Sequence, residues 1–226
     1  WSLYLGLVGV LGAVVLAALP TTRPLGELGP PGRGADLASF FAGTLIIAYG
    51  VVALNLGTGI EMARGRARPH LHLHLHPYPY PYRYLELLLR LLLGLAVTAP
   101  FWAIFQGFYF ASLGALLLGG VYTLGYGLVL GLYGLGLRTV GSEAGRFLLK
   151  YLGLTAYLVG TLPLVGMGGP ARAVNPLYSL MAILQERLQL VEYGVGFLAL
   201  GALGGLAALF ANRRLRGWRA RLKDTF

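Results

Sequence analysis

Six apolar runs of about 20 residues each decide most of what this chain can become. A helix rises 1.5 Å per residue, so a run of that length crosses the roughly 30 Å hydrocarbon core of a bilayer, where a helix satisfies its own backbone hydrogen bonds. The runs lie near residues 2–20, 38–60, 85–107, 113–137, 147–169 and 190–211. The third and fourth are nearly continuous, and their joint length puts a break near Phe110–Leu113. The expected fold is all-α: one transmembrane domain over residues 1–226, six membrane helices, and a short amphipathic helix before the last. A hydrophobic share of 57% against 12% charged is wrong for a soluble domain of 226 residues and agrees with that expectation. The first run is read as a retained helix, because no basic stretch precedes it and "LAALPTTRP" is a poor cleavage site.

The net charge of +10 sits between the apolar runs, so it reads as a topology signal and not as a nucleic-acid surface. Arg64, Arg66, Arg68 and Arg83 follow the second run, and Arg138, Arg146 and Lys150 follow the fourth. The tail carries Arg213, Arg214, Arg216, Arg219, Arg221 and Lys223. The opposite connections hold Arg23, Arg33, Arg172 and Arg187, and Arg90 stands in the mouth of the third run. The positive-inside rule then expects both termini and the loop 61–84 in the cytoplasm. The interiors of the runs hold no acid, base or histidine, which speaks against ion coupling, proton relays and a histidine-ligated haem. With no cysteine there is no disulfide or thiolate chemistry, and no Gly-rich loop ending in Lys-Ser/Thr offers an ATP site. The chain itself is expected to bind no cofactor and to catalyse nothing.

All four histidines fall in "RGRARPHLHLHLHPYPYPYRYLELLLR", residues 64–90. If extended, this stretch puts His70, His72, His74 and His76 on one side and leucines on the other. Such a row supplies two or three ligands per ion, short of a closed site, so metal binding is the weaker alternative. "PYPYPYRY" is expected to be stiff and polyproline-like, with tyrosines projecting towards a partner or the lipid headgroups. Gly127/Gly131 and Gly201/Gly205 have the spacing that lets membrane helices approach closely, read first as packing within the bundle. Pro100 and Pro163 are expected to kink their spans, and Asn55, Gln106 and Thr123 to make hydrogen bonds between helices. In 170–189, Leu177, Leu180, Met181, Leu184 and Leu188 recur at helical spacing, as in a helix half-embedded in the outer leaflet. Asn175 before Pro176 reads as its N-cap.

Several of these stretches resemble the permeases of type-2 ABC exporters. "GTGIEMARG", with Glu61 and Gly65, then a leucine-rich stretch, Pro77 and "RYLELLLRLLLG", is similar to the family's cytoplasmic docking loop. "FLLKYLGLTAYLVGTLPLVG" followed by "AVNPLYSLMAIL" is similar to its fifth span and the Asn-Pro stretch before its last. The stretch from Glu61 to Pro77 is longer than the family's, and the sequence opens at Trp1 inside an apolar run, where the family has an amphipathic segment ahead of its first span. The resemblance implies a permease subunit in a prokaryotic inner membrane, two copies or related chains enclosing one path, and a separate ATPase subunit holding ATP and Mg. It implies that the loop docks that ATPase through Glu61, Gly65 and Pro77, with Arg64, Arg66, Arg68, Tyr78, Tyr80 and Tyr82 touching it or lipid. It places Asn175, Pro176 and Tyr178 on the outer side, near the exit of the path. A haem- or cofactor-export permease of cytochrome maturation, and a non-transporting subunit of a respiratory or assembly complex, stay open beside it. The charge-poor spans favour a lipidic or amphipathic cargo.

Overall fold

The computed structural model of the protein describes residues 32–59, 81–109, 112–187 and 189–223, and among these every regular element is a helix. In order they are α1 (Gly32–Gly59), α2 (Pro81–Tyr109), α3 (Leu113–Leu137), α4 (Glu143–Gly160), α5 (Leu162–Met167), a 3₁₀ turn (Pro170–Val174), α6 (Pro176–Leu184) and α7 (Leu190–Lys223). Four stretches are long and apolar enough to cross a bilayer: Ala42–Gly59, Leu113–Leu137, Glu143–Met167 and Leu190–Leu215. The chain is therefore an all-α membrane protein. Six spans were expected, and these four are fewer. The run at 2–20 lies outside the described residues, and the run at 85–107 forms α2, which is not among the four. Near the start of α2, Arg90 Nη2 pairs with Glu86 Oε1 at 2.6 Å.

The helices alternate in direction around a central pair. On α1 and α3, Tyr49 packs where a Cβ on Gly127 would stand, and Leu54 abuts Gly134, so the two run parallel. On α3 and α7, Tyr122 meets Phe197 edge-on at 5.6 Å, Leu200 faces Gly125 and Phe210 faces Gly136, again in parallel. α2 runs the other way, with Leu87 on Gly131 and Trp102 on Gly119. So does α4, with Tyr133 Oη donating to the Leu149 carbonyl at 3.0 Å and the Tyr157 ring beside that of Tyr126, centroids 5.9 Å apart and tilted by 35°. Tyr49, Tyr122, Tyr126, Leu54, Leu87, Leu91 and Leu180 are fully buried in this core. The window in α1 is 56% buried but that of α4–α5 only 11%, which makes α4 a peripheral helix with most of its surface left for lipid or a partner.

The glycine spacing thus acts within the bundle at Gly127/Gly131, whereas Gly201 and Gly205 have open space around them. Thr123 Oγ1 donates back to the Gly119 carbonyl at 2.8 Å, a bond within its own helix and not between helices. Pro163 does more than kink its span. A proline cannot donate to the carbonyl four residues back, so the helix breaks at Thr161 and restarts as α5 with Pro163 in its first turn. Gly168 and Gly169, both at positive φ, then reverse the chain into the 3₁₀ turn.

The segment after that turn corrects a second expectation. α6 is no half-embedded surface helix: Pro176, Ser179, Leu180, Ala182, Ile183 and Leu184 are all buried, and it packs on α1 and α3. Its periodic leucines describe one buried face, but Ser179 lets a second face bury as well, because its hydroxyl donates to the Ala173 carbonyl at 2.6 Å. Gln185, Glu186 and Arg187 form its stop. The Glu186 N–H donates to Ile183 O and the Arg187 N–H to Ala182 O, a Schellman pattern with Glu186 at φ 54° where glycine is usual.

Candidate functional site: a polar belt and a basic face

Polar chemistry collects at the two ends of the bundle. At one end stand the starts of α3 and α7, the α4–α5 break and α6. Asn175 is the hub. Its Oδ1 accepts from the backbone N–H groups of Leu177 and Tyr178, capping α6 as Pro176 begins it. Its Nδ2 donates to Leu158 O at 3.1 Å and to Thr161 Oγ1 at 2.9 Å, so one buried amide ties α6 to the broken fifth span. Beside it, the Arg172 Nε donates to Glu192 Oε1 at 2.5 Å, and the guanidinium lies over the Tyr178 ring at 5.0 Å. The bond to Glu192 holds the Arg172 guanidinium above its ordinary range.

A third tie closes the belt. Glu186, turned by its left-handed backbone, accepts from the Ser112 N–H at 2.8 Å, and the Ser112 hydroxyl, then this backbone bond, hold its carboxyl below the usual range. Ser112 in turn caps α3 through the Ala115 N–H. Between these starts of α3 and α7 opens a cleft of about 790 Å³, walled by Ala115, Leu118, Tyr193 and Phe197, with Glu186 on its rim.

The opposite end is basic. There Arg138 closes α3, Arg146 and Lys150 stand in the first turns of α4, and Arg213 and Arg214 lie on the far part of α7. Lys150 Nζ donates to Asn55 Oδ1 at 3.1 Å, so Asn55 does bond between helices as expected. Tyr84 Oη donates to Asn212 Oδ1 at 2.6 Å, bringing the start of α2 and the far part of α7 to this same end.

Of the residues singled out in the sequence, the belt brings together Asn175, Pro176 and Tyr178. Glu61, Arg64, Gly65, Arg66, Arg68, Pro77, Tyr78, Tyr80 and the four histidines lie outside the described residues, and Tyr82 is the second residue of α2. Among the described residues no cluster of three metal-ligating side chains occurs. Sequence reasoning missed Arg172, Thr161, Ser179, Glu186 and Glu192. One signal was available: Glu192 is a lone acid just inside an apolar run, where a carboxylate needs a buried partner. Compared with protein families, curated proteins and solved structures, the chain matches none.

The hub yields a prediction. Asn175→Ala removes a cap and both donors to the broken span, and is expected to cost about 1–2 kcal/mol. Asn175→Asp keeps the cap acceptor but loses the donors, and falls between Ala and wild type. Thermal unfolding in detergent followed by circular dichroism ranks the three. An aspartate variant no better than alanine removes the cap from the explanation.

Proposed function

We propose that the protein is the transmembrane permease subunit of an ATP-driven exporter of the type-2 ABC class, in a prokaryotic inner membrane, with ATP and Mg held by a separate ATPase subunit. The observation that carries this reading is the polarity of the bundle. The ends of α1 and α3, the starts of α2 and α4 and the far part of α7 share one basic end, while the broken fifth span and buried α6 share the other. On the positive-inside rule the basic end is cytoplasmic, along with both termini of a six-span chain. The loop expected over 61–84, whose last four residues are the start of α2, then belongs on the face that an ATPase subunit approaches. Glu61, Gly65 and Pro77 mark its docking surface, and Arg64, Arg66, Arg68, Tyr78, Tyr80 and Tyr82 touch the ATPase or headgroups.

The belt around Asn175 belongs on the outer side, beside the exit of a path shared with a second permease copy. The weakly covered α4 supplies the surface for rocking against that copy, an alternating-access change driven by ATP binding to the partner. The apolar cleft by Glu186 fits a lipidic or amphipathic cargo.

The test is a mild-detergent pull-down of the tagged protein from native membranes, beside a version with 64–82 replaced by a Gly/Ser linker. A nucleotide-binding subunit recovered with the intact loop alone is the expected result. Respiratory or assembly proteins in both samples, with no ATPase, overturn the exporter reading in favour of a non-transporting subunit.

A further inference from the structure

The cations at the basic end are gathered, although a topology signal alone leaves long basic side chains free to snorkel apart into water. Arg138 is the C-cap of α3, and α4 starts five residues later. Arg146 and Lys150 stand four residues apart on α4, on one face with Cβ atoms about 6 Å apart. Lys150 is held against α1 by Asn55. Arg146 Nε is buried with no acceptor among the described residues, and neither described ion pair, Glu86–Arg90 or Arg172–Glu192, involves Arg146 or Lys150. Burial, and then the Arg146 charge, draws the Arg138 guanidinium down to about 10, so it stays protonated at neutral pH while standing beside a like charge. Arg146 and Lys150, two cations on one face with no described carboxylate paired to either, make a place that suits an anion.

Two features say which anion. Lys150 is the eighth residue of α4, about 10 Å along the helix from its start and inside the membrane-long stretch Glu143–Met167. On the same turns Phe147, Leu148 and Leu152 are exposed. A ligand here meets cations and a lipid-facing apolar surface together. The geometry points to a site in which Arg146 and Lys150 bind the phosphate of an anionic phospholipid, whose acyl chains lie along Phe147, Leu148 and Leu152. Basic pockets between helices on the positive side of a bundle take such headgroups. The site stands or falls independently of the exporter reading.

Native mass spectrometry of the full chain released from detergent tests it, with phosphatidylglycerol, phosphatidylcholine or inorganic phosphate added. Wild type is expected to prefer phosphatidylglycerol by roughly 10- to 30-fold, and R146Q/K150Q to lose that preference. R146K/K150R keeps the charge and most of the preference, and R213Q/R214Q, at the same end but on α7, keeps all of it. Circular dichroism establishes that each variant is folded, and the single K150Q serves if the double does not fold. Equal retention of the two lipids by wild type overturns the site, as does an equal loss in R213Q/R214Q. Phosphate binding that depends on Arg146 and Lys150 but needs no lipid overturns the lipid assignment. So does loss of a co-purified protein from R146Q/K150Q with lipid preference unchanged.

Discussion

Gly57→Val is expected to abolish the folded bundle. A Cβ added at Gly57 would run into the Gly131 carbonyl oxygen and come within 2.9 Å of the Leu135 nitrogen, both backbone atoms that no rotamer change moves. The contact is reciprocal, since a Cβ on Gly134 meets the Leu54 carbonyl oxygen at 2.6 Å. Relief requires α1 and α3 to separate along their whole parallel seam. Tyr49 then loses its seat over Gly127, and with it the bond from Tyr49 Oη to Leu91 O at 2.8 Å that holds α2. Overpacking a core against movable side chains costs about 1–3 kcal/mol, and backbone against backbone is expected to exceed about 3 kcal/mol. Even Gly57→Ala is expected to lower the unfolding midpoint sharply. Gly201→Ala and Gly205→Ala, in open space, stay within about 0.5 kcal/mol of wild type. Size-exclusion profiles and unfolding midpoints in detergent read this out. A monodisperse Gly57→Ala protein with an unchanged midpoint contradicts the glycine seam.

These two pairs of glycines show how much of the molecule was legible beforehand. Gly127/Gly131 and Gly201/Gly205 carry the same spacing, yet only the first pair meets other helices, because spacing describes one helix and contact needs two. Span positions were readable for the opposite reason: run length is a property of a single stretch, and the starts of α3 and α7 fall at Leu113 and Leu190. The Asn175 cap was readable because cap and proline are adjacent in the chain. What stayed hidden joins distant residues. Lys150 and Asn55 lie 95 residues apart, Ser112 and Glu186 74 apart, and no local pattern pairs them. α6 misled for a related reason, since its second buried face depends on Ser179 finding the Ala173 carbonyl.

Glu192→Ala is the second large effect expected, because this one carboxylate both ties the 3₁₀ turn to α7 and caps the start of α7. Its Oε1 takes the Arg172 Nε of the 3₁₀ turn, and its Oε2 accepts from the Gln189 N–H, reaching back from the third residue of α7 as in a capping box. A negative charge in that first turn also suits the helix dipole. Breaking a fully buried ion pair costs about 3–5 kcal/mol, chiefly through the charge left behind. Here the stranded partner is Arg172, whose side chain is 33% exposed against 3% for Glu192, so water recovers part of that cost. The expected loss is therefore nearer 2–3 kcal/mol, again on the scale of a broken buried pair. Glu192→Gln keeps an acceptor for the Gln189 N–H and is expected to lose less. The decisive comparison is a double-mutant cycle with Arg172→Ala, read by unfolding midpoints in detergent. If the pair is what matters, the double variant is more stable than the sum of the single losses allows, by about 1 kcal/mol or more. Simple additivity means that Glu192 acts through the α7 cap alone, and that the 3₁₀ turn is held to α7 by packing such as Gly196 against the Ala173 carbonyl.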